Sequence, residues 1–244
     1  LNNGELIIQK NSSISRCNMK LLSLNIRQGG GTRIASISDY LVTQDRDAVV
    51  ISEFRCNAVG HKLIATLRQA GYSHFHHTNT EPRQNTVMVA TKLPSTPIAI
   101  TGCTNDWSLV GVAWAGIQLV GVYFPQRKDK AGVFDTLEAM ASSTLLAIGD
   151  FNTGSNTLDA EGAKFHCADQ FVRLANETLN DLWRTHNGQQ ALEFTWYSRA
   201  DNGFRIDHAL AGTETTSRCM ASYYDHSTRN TLTDHSALIV ELCQ

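Results

Sequence analysis

The chain has 244 residues, 42% of them hydrophobic, which is enough to bury one full core. Its formal net charge of -2 excludes the strong overall positive field with which many nucleic-acid-binding proteins attract phosphate. We therefore expect a single domain that would have to hold any polyanionic ligand through local contacts.

The six cysteines lack the CxxC or Cys/His spacing of a zinc site, so a reduced, cytoplasmic protein is expected. A secreted form stays open, because an even number of cysteines also permits disulfides. No window has the apolar run of a signal peptide or the roughly 20 apolar residues of a membrane span, so no membrane partner is expected. Residues 1–18 are polar and aperiodic, and we interpret them as a tail or appended segment before one domain at 19–244.

The predicted elements begin with two repeats of a strand followed by a helix. They are the strand KLLSLNI, a helix with Ile34, Ile37 and Leu41 on one face, the strand DAVVIS, and a helix with Val59, Leu63 and Leu67 on one face. This alternation is typical of α/β architecture.

The middle of the chain changes character. The strands SLVGVAWA and GIQLVGVYF meet at Ala115-Gly116, which predicts an antiparallel hairpin. The remaining elements are the strand TVMVAT, a helix around Val133, Leu137 and Met140, the strand LLAIG, a helix around Phe171, Leu174 and Leu179, and the strands FTWY, RIDHALA and SALIVEL. Together they predict an α/β (α+β) fold, a four-layered sandwich of two mixed β-sheets packed face to face and flanked by helices.

Polar side chains recur where the apolar strands begin or end. They are Asn25, Glu53, Asp150, Asn152, Asp207, Asp234 and His235. Each by itself is also explained as a turn or cap residue. Burying several carboxylates together costs several kcal/mol by order of magnitude unless they are paired, hydrogen-bonded or bound to metal, so the set as a whole indicates a cation site.

The order of these residues carries a family resemblance. The segments LSLNIR, ISEFR, VGVYFPQ, GDFN, GFRIDHALA and LTDHSALIVEL resemble the successive motifs of the endonuclease/exonuclease/phosphatase superfamily, from about 20 to 242. The segment ADQFVRLANETLNDLWRTHN, with FTWYS and GFRIDHALA after it, resembles the exonuclease III and abasic-site endonuclease branch. Arg27, two residues after Asn25, resembles deoxyribonuclease I instead.

The resemblance implies a metal site and a set of catalytic residues. Glu53 would be the principal metal ligand, with Asn25 and Asp234 near the same ion, and hard oxygen ligands favour Mg²⁺, for which Mn²⁺ can substitute. Asp150 would orient and deprotonate the attacking water. Asn152 would donate to the phosphate oxygens as their charge increases.

The resemblance also implies substrate contacts. His235 would polarise a phosphate oxygen while Asp207 fixes its tautomer, and Tyr123 would contact phosphate. Beside Asn152, the residues expected to bind substrate are Asn25, Arg27 and Phe204, the last as part of a small apolar pocket. Arg205 stays open between a substrate contact and a buried structural ion pair.

The implied function is a metal-dependent phosphodiester hydrolase, an exonuclease III-like nuclease and DNA repair enzyme that acts on DNA as a monomer. The short loop SRADNG puts specific recognition of abasic sites in doubt, because the abasic-site enzymes place pocket-forming aromatic residues there. Two alternatives stay open: a phosphoesterase for a small-molecule or lipid phosphate, and a non-catalytic nucleic-acid-binding protein on the same scaffold.

Overall fold

The computed structural model describes residues 18–244, so the predicted tail lies outside the described residues except for its last position. In chain order the strands are β1 (Met19–Asn25), β2 (Ala48–Phe54), β3 (His74–His77), β4 (Thr86–Thr91), β5 (Ser95–Ile98), β6 (Leu109–Trp114), β7 (Ile117–Tyr123), β8 (Leu145–Asp150), β9 (Asn180–Asp181), β10 (Trp196–Tyr197), β11 (Gly203–Phe204), β12 (Asp207–Ala211), β13 (Cys219–Asp225) and β14 (Ala237–Leu242). The α-helices are α1 (Ile34–Gln44), α2 (Ala58–Gln69), α3 (Ala131–Ala139), α4 (Ala168–Arg173), α5 (Leu182–Asn187) and α6 (Thr213–Arg218).

The strands form two six-stranded sheets in the orders β13-β14-β1-β2-β4-β3 and β5-β6-β7-β8-β12-β9, and β10 pairs with β11. Both sheets are mixed. In the first, β1 is parallel to β2 and antiparallel to β14; in the second, β7 is parallel to β8 and antiparallel to β6. The predicted pair of mixed sheets is confirmed.

Two local predictions have different outcomes. The hairpin between β6 and β7 is confirmed, and Ala115 and Gly116 have φ values of 48° and 79°, as a two-residue turn that matches the strand twist requires. The single helix predicted around 171–179 is divided, because α4 ends at Arg173 and a π-helical turn, Leu174–Thr178, follows it.

Three apolar clusters account for the layers. One lies between the sheets, a second packs α1 and α2 on the first sheet, and a third packs α3 and α4 on the second sheet. The sheets approach closely at Gly121, where an added Cβ would lie 2.8 Å from Val89 Cγ2. The four-layered sandwich is therefore confirmed. Within residues 18–244, no helix has the length and apolar character needed to cross a membrane.

The topology brings the polar strand ends to one edge of the sandwich. The parallel neighbours β1 and β2 end there, and so do β7 and β8. The antiparallel partner β12 begins at the same edge, with Asp207 opposite Asp150. The sheets are linked at this point, since Ser52 Oγ donates to Val122 O at 2.8 Å and accepts from Asp150 N at 3.4 Å.

Candidate active site

Asn25, the last residue of β1, lies between two acidic side chains. Its Nδ2 donates to Glu53 Oε1 at 3.2 Å and to Asp150 Oδ2 at 2.9 Å. Its Oδ1 accepts from the backbone N–H of Arg27 at 2.8 Å, and the residue is 1% exposed. One amide therefore brings two predicted site residues together, and it presents its nitrogen to them rather than its oxygen.

Glu53 lies near the end of β2, where pairing with β4 is irregular. Its φ of 57° places it in the left-handed region, which costs about 1–3 kcal/mol and is typical of functional sites. Its Oε2 accepts from Gln28 N at 2.6 Å and from Asn85 Nδ2 at 2.9 Å. With Asn25 on Oε1, both carboxylate oxygens are held in place by donors.

Asp150 ends β8 and is 1% exposed. Burial raises its pKa to about 7, and Asp207 acts in the same direction, whereas His235 and the hydrogen bonds from Asn152 and Asn25 oppose the rise. The bond from the backbone N–H of Asn152 to Asp150 Oδ1 is 2.7 Å long. A carboxylate with a pKa near 7 is a better proton acceptor than one at the usual value.

Asn152 follows Asp150 by two residues and has a φ of 50°. Its Nδ2 donates to Phe124 O at 2.9 Å, and its own backbone oxygen accepts from Lys130 Nζ at 2.5 Å. An amide NH₂ group has two protons, so one proton of Asn152 is free to donate to a ligand in the cleft that this residue lines.

His235 and Asp207 form a buried pair. His235 Nδ1 donates to Asp207 Oδ2 at 2.9 Å, and the residues are 5% and 2% exposed. Burial lowers the pKa of His235, but Asp207, Asp150 and Asp234 outweigh this effect and raise the pKa to about 10. The imidazole is therefore cationic at neutral pH, and its other nitrogen, Nε2, is a donor available to the cleft.

Asp234 is held from two sides. Trp196 Nε1 donates to its Oδ2 at 3.3 Å, and Arg27 Nε lies 3.6 Å from the same oxygen. The Arg27 and Asp234 side chains are 60% and 33% exposed, so this ion pair is weak and Arg27 can turn to a bound anion.

Tyr123, at the end of β7, packs against Trp107 with ring centroids 5.8 Å apart. Its hydroxyl accepts from Asn85 Nδ2 at 3.4 Å, while Asn85 Oδ1 accepts from Arg55 Nε at 2.6 Å. The sequence analysis missed Asn85, which touches Glu53, Tyr123 and Arg55. It precedes β4, so the strand-end criterion that selected the other site residues would also have found it.

Phe204 does not line the cleft. It is 6% exposed and packs behind the cleft, with its ring 5.8 Å from Trp196 and 5.5 Å from Phe165. Trp196 and Tyr197 occupy the position expected for it, because they lie on the facing strand β10 of the hairpin.

The site opens into a cleft of about 610 Å³, which adjoins a second groove at Gln126. Five arginines line the two: Arg27, Arg55, Arg83, Arg127 and Arg199. Four carboxylates line the same two spaces, so the five arginines leave this surface slightly cationic in a chain whose net charge is -2. Such a surface holds phosphate groups locally.

The donor set fits Mg²⁺. In residues 18–244, no three His, Cys, Asp or Glu side chains converge as a group that could hold a metal. Mg²⁺ commonly uses one or two carboxylates and keeps several waters. Glu53, and Asp234 on the same cleft, are carboxylates of this kind.

The structure assigns Arg205 to a buried ionic cluster beside the site. Its Nε donates to Asp159 Oδ1 and its Nη2 to Asp181 Oδ2, both at 2.6 Å, and it is 0% exposed. Arg184 also contacts Asp159, at 2.5 Å. Although burial raises the pKa of both aspartates, Arg205 holds them below their usual value. Arg205 is therefore a structural residue rather than a substrate contact.

Replacing Arg205 by Met is expected to lower the free energy of unfolding by about 3–5 kcal/mol, because it leaves two buried carboxylates without their main partner. Urea unfolding followed by circular dichroism measures this. Arg173→Met is the matched control, since Arg173 pairs with Glu138 on the surface and its removal should cost less than about 1 kcal/mol. Equal losses in the two variants would contradict the assignment.

Comparison with known proteins identifies the family. The model of the Endonuclease/Exonuclease/phosphatase family matches residues 22–235, which is most of the chain and includes every site residue described above. The chain belongs to this family. The match confirms the predicted family resemblance, and the endonucleases, exonucleases and phosphatases in the family's description all hydrolyse phosphate esters. No protein with a curated description matches the sequence.

Three solved structures have a fold similar to that of this chain. The 3'-5' exonuclease NExo from Neisseria Meningitidis has 19% identity and a TM-score of 0.76, covering 93% of this chain and 100% of that one. An AP endonuclease from Archaeoglobus fulgidus has 18% identity and a TM-score of 0.74, covering 92% and 99%. The AP endonuclease LMAP from Leishmania major has 13% identity and a TM-score of 0.75, covering 93% and 88%. At these identities the likeness concerns the fold.

Proposed function

We propose that the chain is a Mg²⁺-dependent phosphodiesterase, with Mn²⁺ able to substitute, and that it is a nuclease of DNA. The observation that carries the proposal is the buried Asp150 carboxylate, which shares an amide donor with Glu53 and lies opposite Asp207, the partner of His235. The side chains of Asp150, Glu53 and His235, which we propose as proton acceptor, metal ligand and cationic donor, therefore face one cleft. These are the groups that in-line hydrolysis of a phosphate diester requires.

In this proposal Asp150 orients a water molecule and removes its proton as the water oxygen attacks phosphorus. The bond to the leaving oxygen breaks on the opposite side, and that oxygen takes up a proton from solvent water. The products are a phosphate monoester and an alcohol. Asn152 donates its free amide proton to a phosphate oxygen. Cationic His235 donates from Nε2 to a phosphate oxygen, where negative charge increases in the transition state.

Glu53 would hold the metal, with Asp234 binding directly or through water. When bound, Mg²⁺ supplies a Lewis acid that offsets the charge on phosphate and leaving oxygen. Asn25 would fix the positions of the Glu53 and Asp150 carboxylates relative to each other, because its amide donates a hydrogen bond to each. Arg27 and Tyr123 would contact neighbouring phosphate oxygens.

The five arginines around the cleft support a polyanionic substrate, since backbone phosphates are what such side chains bind without reading sequence. A similar structure, that of the 3' phosphatase NExo from Neisseria, is described as bound to a product DNA hairpin. It has 18% identity and a TM-score of 0.76 and covers 93% of this chain and 100% of that one. We extend DNA as a substrate, and with it a cytoplasmic role in DNA repair, to this chain.

The proposal is tested by a cleavage panel of plasmid, linear duplex, single-stranded DNA, RNA, an abasic-site duplex and bis-p-nitrophenyl phosphate. Each is incubated with Mg²⁺, Mn²⁺ or EDTA, and Asp150→Asn is the control. Metal-dependent DNA cleavage that the variant lacks is the expected result. Turnover of the small diester alone would move the substrate to small or lipid phosphates. No turnover at all would favour a non-catalytic binding protein.

Glu53→Gln is expected to raise the Mg²⁺ concentration for half-maximal activity by at least about tenfold, because it removes a ligand charge and an acceptor of the Gln28 and Asn85 donors. A Mg²⁺ titration of initial rates measures the shift. Glu138→Gln, at a half-buried glutamate of α3 that pairs with Arg173, is the control and should leave the titration unchanged. An unshifted titration in Glu53→Gln would remove Glu53 from the metal site.

A further inference from the structure

Lys130 is a buried lysine beside the catalytic loop. It ends the 3-10 turn Arg127–Lys130, immediately before α3, and is 2% exposed, whereas the other lysines of residues 18–244 are exposed or half-buried. Its Nζ donates to the backbone oxygen of Asn152 at 2.5 Å. Burial lowers its pKa to about 8, and Asp150 opposes this effect, so the side chain is mainly an ammonium at neutral pH.

This burial is costly for stability. Removing an ammonium from water costs several kcal/mol unless hydrogen bonds or an opposite charge compensate it. Here the hydrogen-bond partner is a neutral carbonyl, and the charge of Asp150 offsets only part of the effect of burial. An apolar side chain of the same length would fill the position without this penalty. A lysine at this position therefore needs a reason other than the stability of the fold.

The carbonyl that Lys130 binds belongs to Asn152, a candidate catalytic residue. Asn152 has a φ of 50°, in the left-handed region, which asparagine enters more readily than most other non-glycine residues but still at a cost. Its N–H is bonded to Asp150, its amide to Phe124 O, and its carbonyl to Lys130. Lys130 thus provides the third contact that keeps this residue in its unusual conformation.

The next residue of the loop is held from the other side. His208 Nε2 donates to Thr153 O at 2.8 Å, and His208 belongs to β12. Lys130 comes from the segment between β7 and α3 instead. The loop from Asp150 to Thr153 is therefore held by two separate segments, the turn before α3 and strand β12 of the second sheet, and each of them donates to one carbonyl of the loop.

We infer that Lys130 is a positioning residue for phosphate ester hydrolysis, which fixes the Asn152 backbone and thereby the direction of the Asn152 amide and the Asp150 carboxylate. The inference rests on the proposed function. Lys130 is not among the residues that line the cleft, so we assign it a positioning role rather than a catalytic one. Its effect is on the rate of the chemical step, since small displacements of reacting groups lower rates strongly.

The test is Lys130→Met, with Lys128→Met as the matched control, because Lys128 is an exposed lysine of the same turn. We measure kcat, KM and the Mg²⁺ titration on the substrate of the panel that is cleaved fastest, and the thermal unfolding midpoint of each protein without substrate. In Lys130→Met, kcat should fall by about ten- to hundredfold. KM and the Mg²⁺ midpoint should change by less than about twofold, and the unfolding midpoint should change little, because removal of a buried charge offsets the loss of its hydrogen bond to Asn152 O.

Lys130→Gln is the second variant and keeps a neutral donor. Its kcat should lie between those of wild type and Lys130→Met, because an amide can still donate to the carbonyl of Asn152. This partial rescue would not be expected if Lys130 only filled space.

Two results would overturn the inference: an unchanged kcat in both Lys130 variants, or a kcat loss matched by a lowered unfolding midpoint, which indicates a structural role alone. Asp150→Asn, measured in parallel, separates this from the proposed function. If Asp150→Asn is inactive and Lys130→Met fully active, only the inference about Lys130 fails. If Asp150→Asn is fully active, the proposed function fails first and Lys130 has no reaction to assist.

Discussion

Asp150→Asn is expected to lower kcat by about 10²–10⁴-fold, the usual contribution of a positioned general base. The amide cannot accept a proton from water, and its own NH₂ group would face the donor Nδ2 of Asn25, which now bonds to Asp150 Oδ2 at 2.9 Å. KM should change little, so kcat/KM should fall in the same proportion as kcat.

Steady-state rates with saturating Mg²⁺ measure this loss, and circular dichroism verifies the fold. The unfolding midpoint should change little, because removal of a buried carboxyl group whose pKa is raised to about 7 offsets the loss of one hydrogen bond to its neighbours. Asp135→Asn, at an exposed position of α3, is the matched control and should behave as wild type. A kcat within about tenfold of wild type would contradict the role of Asp150 as the base.

His235→Ala is expected to lower kcat by about 10²–10³-fold, as removal of a donor to a developing oxyanion does. His235 is held by Asp207 at 2.9 Å, so the two residues should act as a unit. Asp207→Asn should lower kcat in the same direction, because the ring stays but loses the charge that keeps it cationic. The double variant should be no slower than His235→Ala alone.

A double-mutant cycle of kcat values measures this coupling. His186→Ala, at an exposed histidine of α5, is the control and should leave kcat unchanged. Additive losses at Asp207 and His235 would show that Asp207 acts separately from the imidazole. Wild-type rates in His235→Ala would remove His235 from the catalytic site.

The sequence predicted much of the site because strand ends are local features. Asn25, Glu53 and Asp150 each follow a run of apolar residues, and the alternation of such runs with helices indicates which strands end at the same edge. The structure brings these three side chains within hydrogen-bond distance of one another through the Asn25 amide. No local pattern indicates that the nitrogen of that amide, rather than its oxygen, faces the carboxylates.

Contacts between distant parts of the chain were not predictable in the same way. Asn85 bonds to Glu53 from 32 positions away, and Lys130 bonds to Asn152 from 22 positions away. Both depend on how a loop lies over the sheet edge. The hairpin of β10 and β11 gives a second example, since its pairing presents Trp196 to the cleft and buries Phe204 behind it.

The sequence by itself indicated most of the core strands, the two mixed sheets and a set of polar residues at the strand ends, because these follow from periodicity and burial over a few neighbouring residues. It did not indicate the edge strand β13 or the short helices α5 and α6. Only the tertiary structure decided that Arg205 is a buried structural residue, since its partners Asp159 and Asp181 lie 46 and 24 positions away. It also decided that the amide nitrogen of Asn25 faces the carboxylates and that the ring of Trp196, rather than that of Phe204, lines the cleft. Hydrogen-bond direction depends on atoms that folding brings together from distant segments, and this information is absent from local patterns.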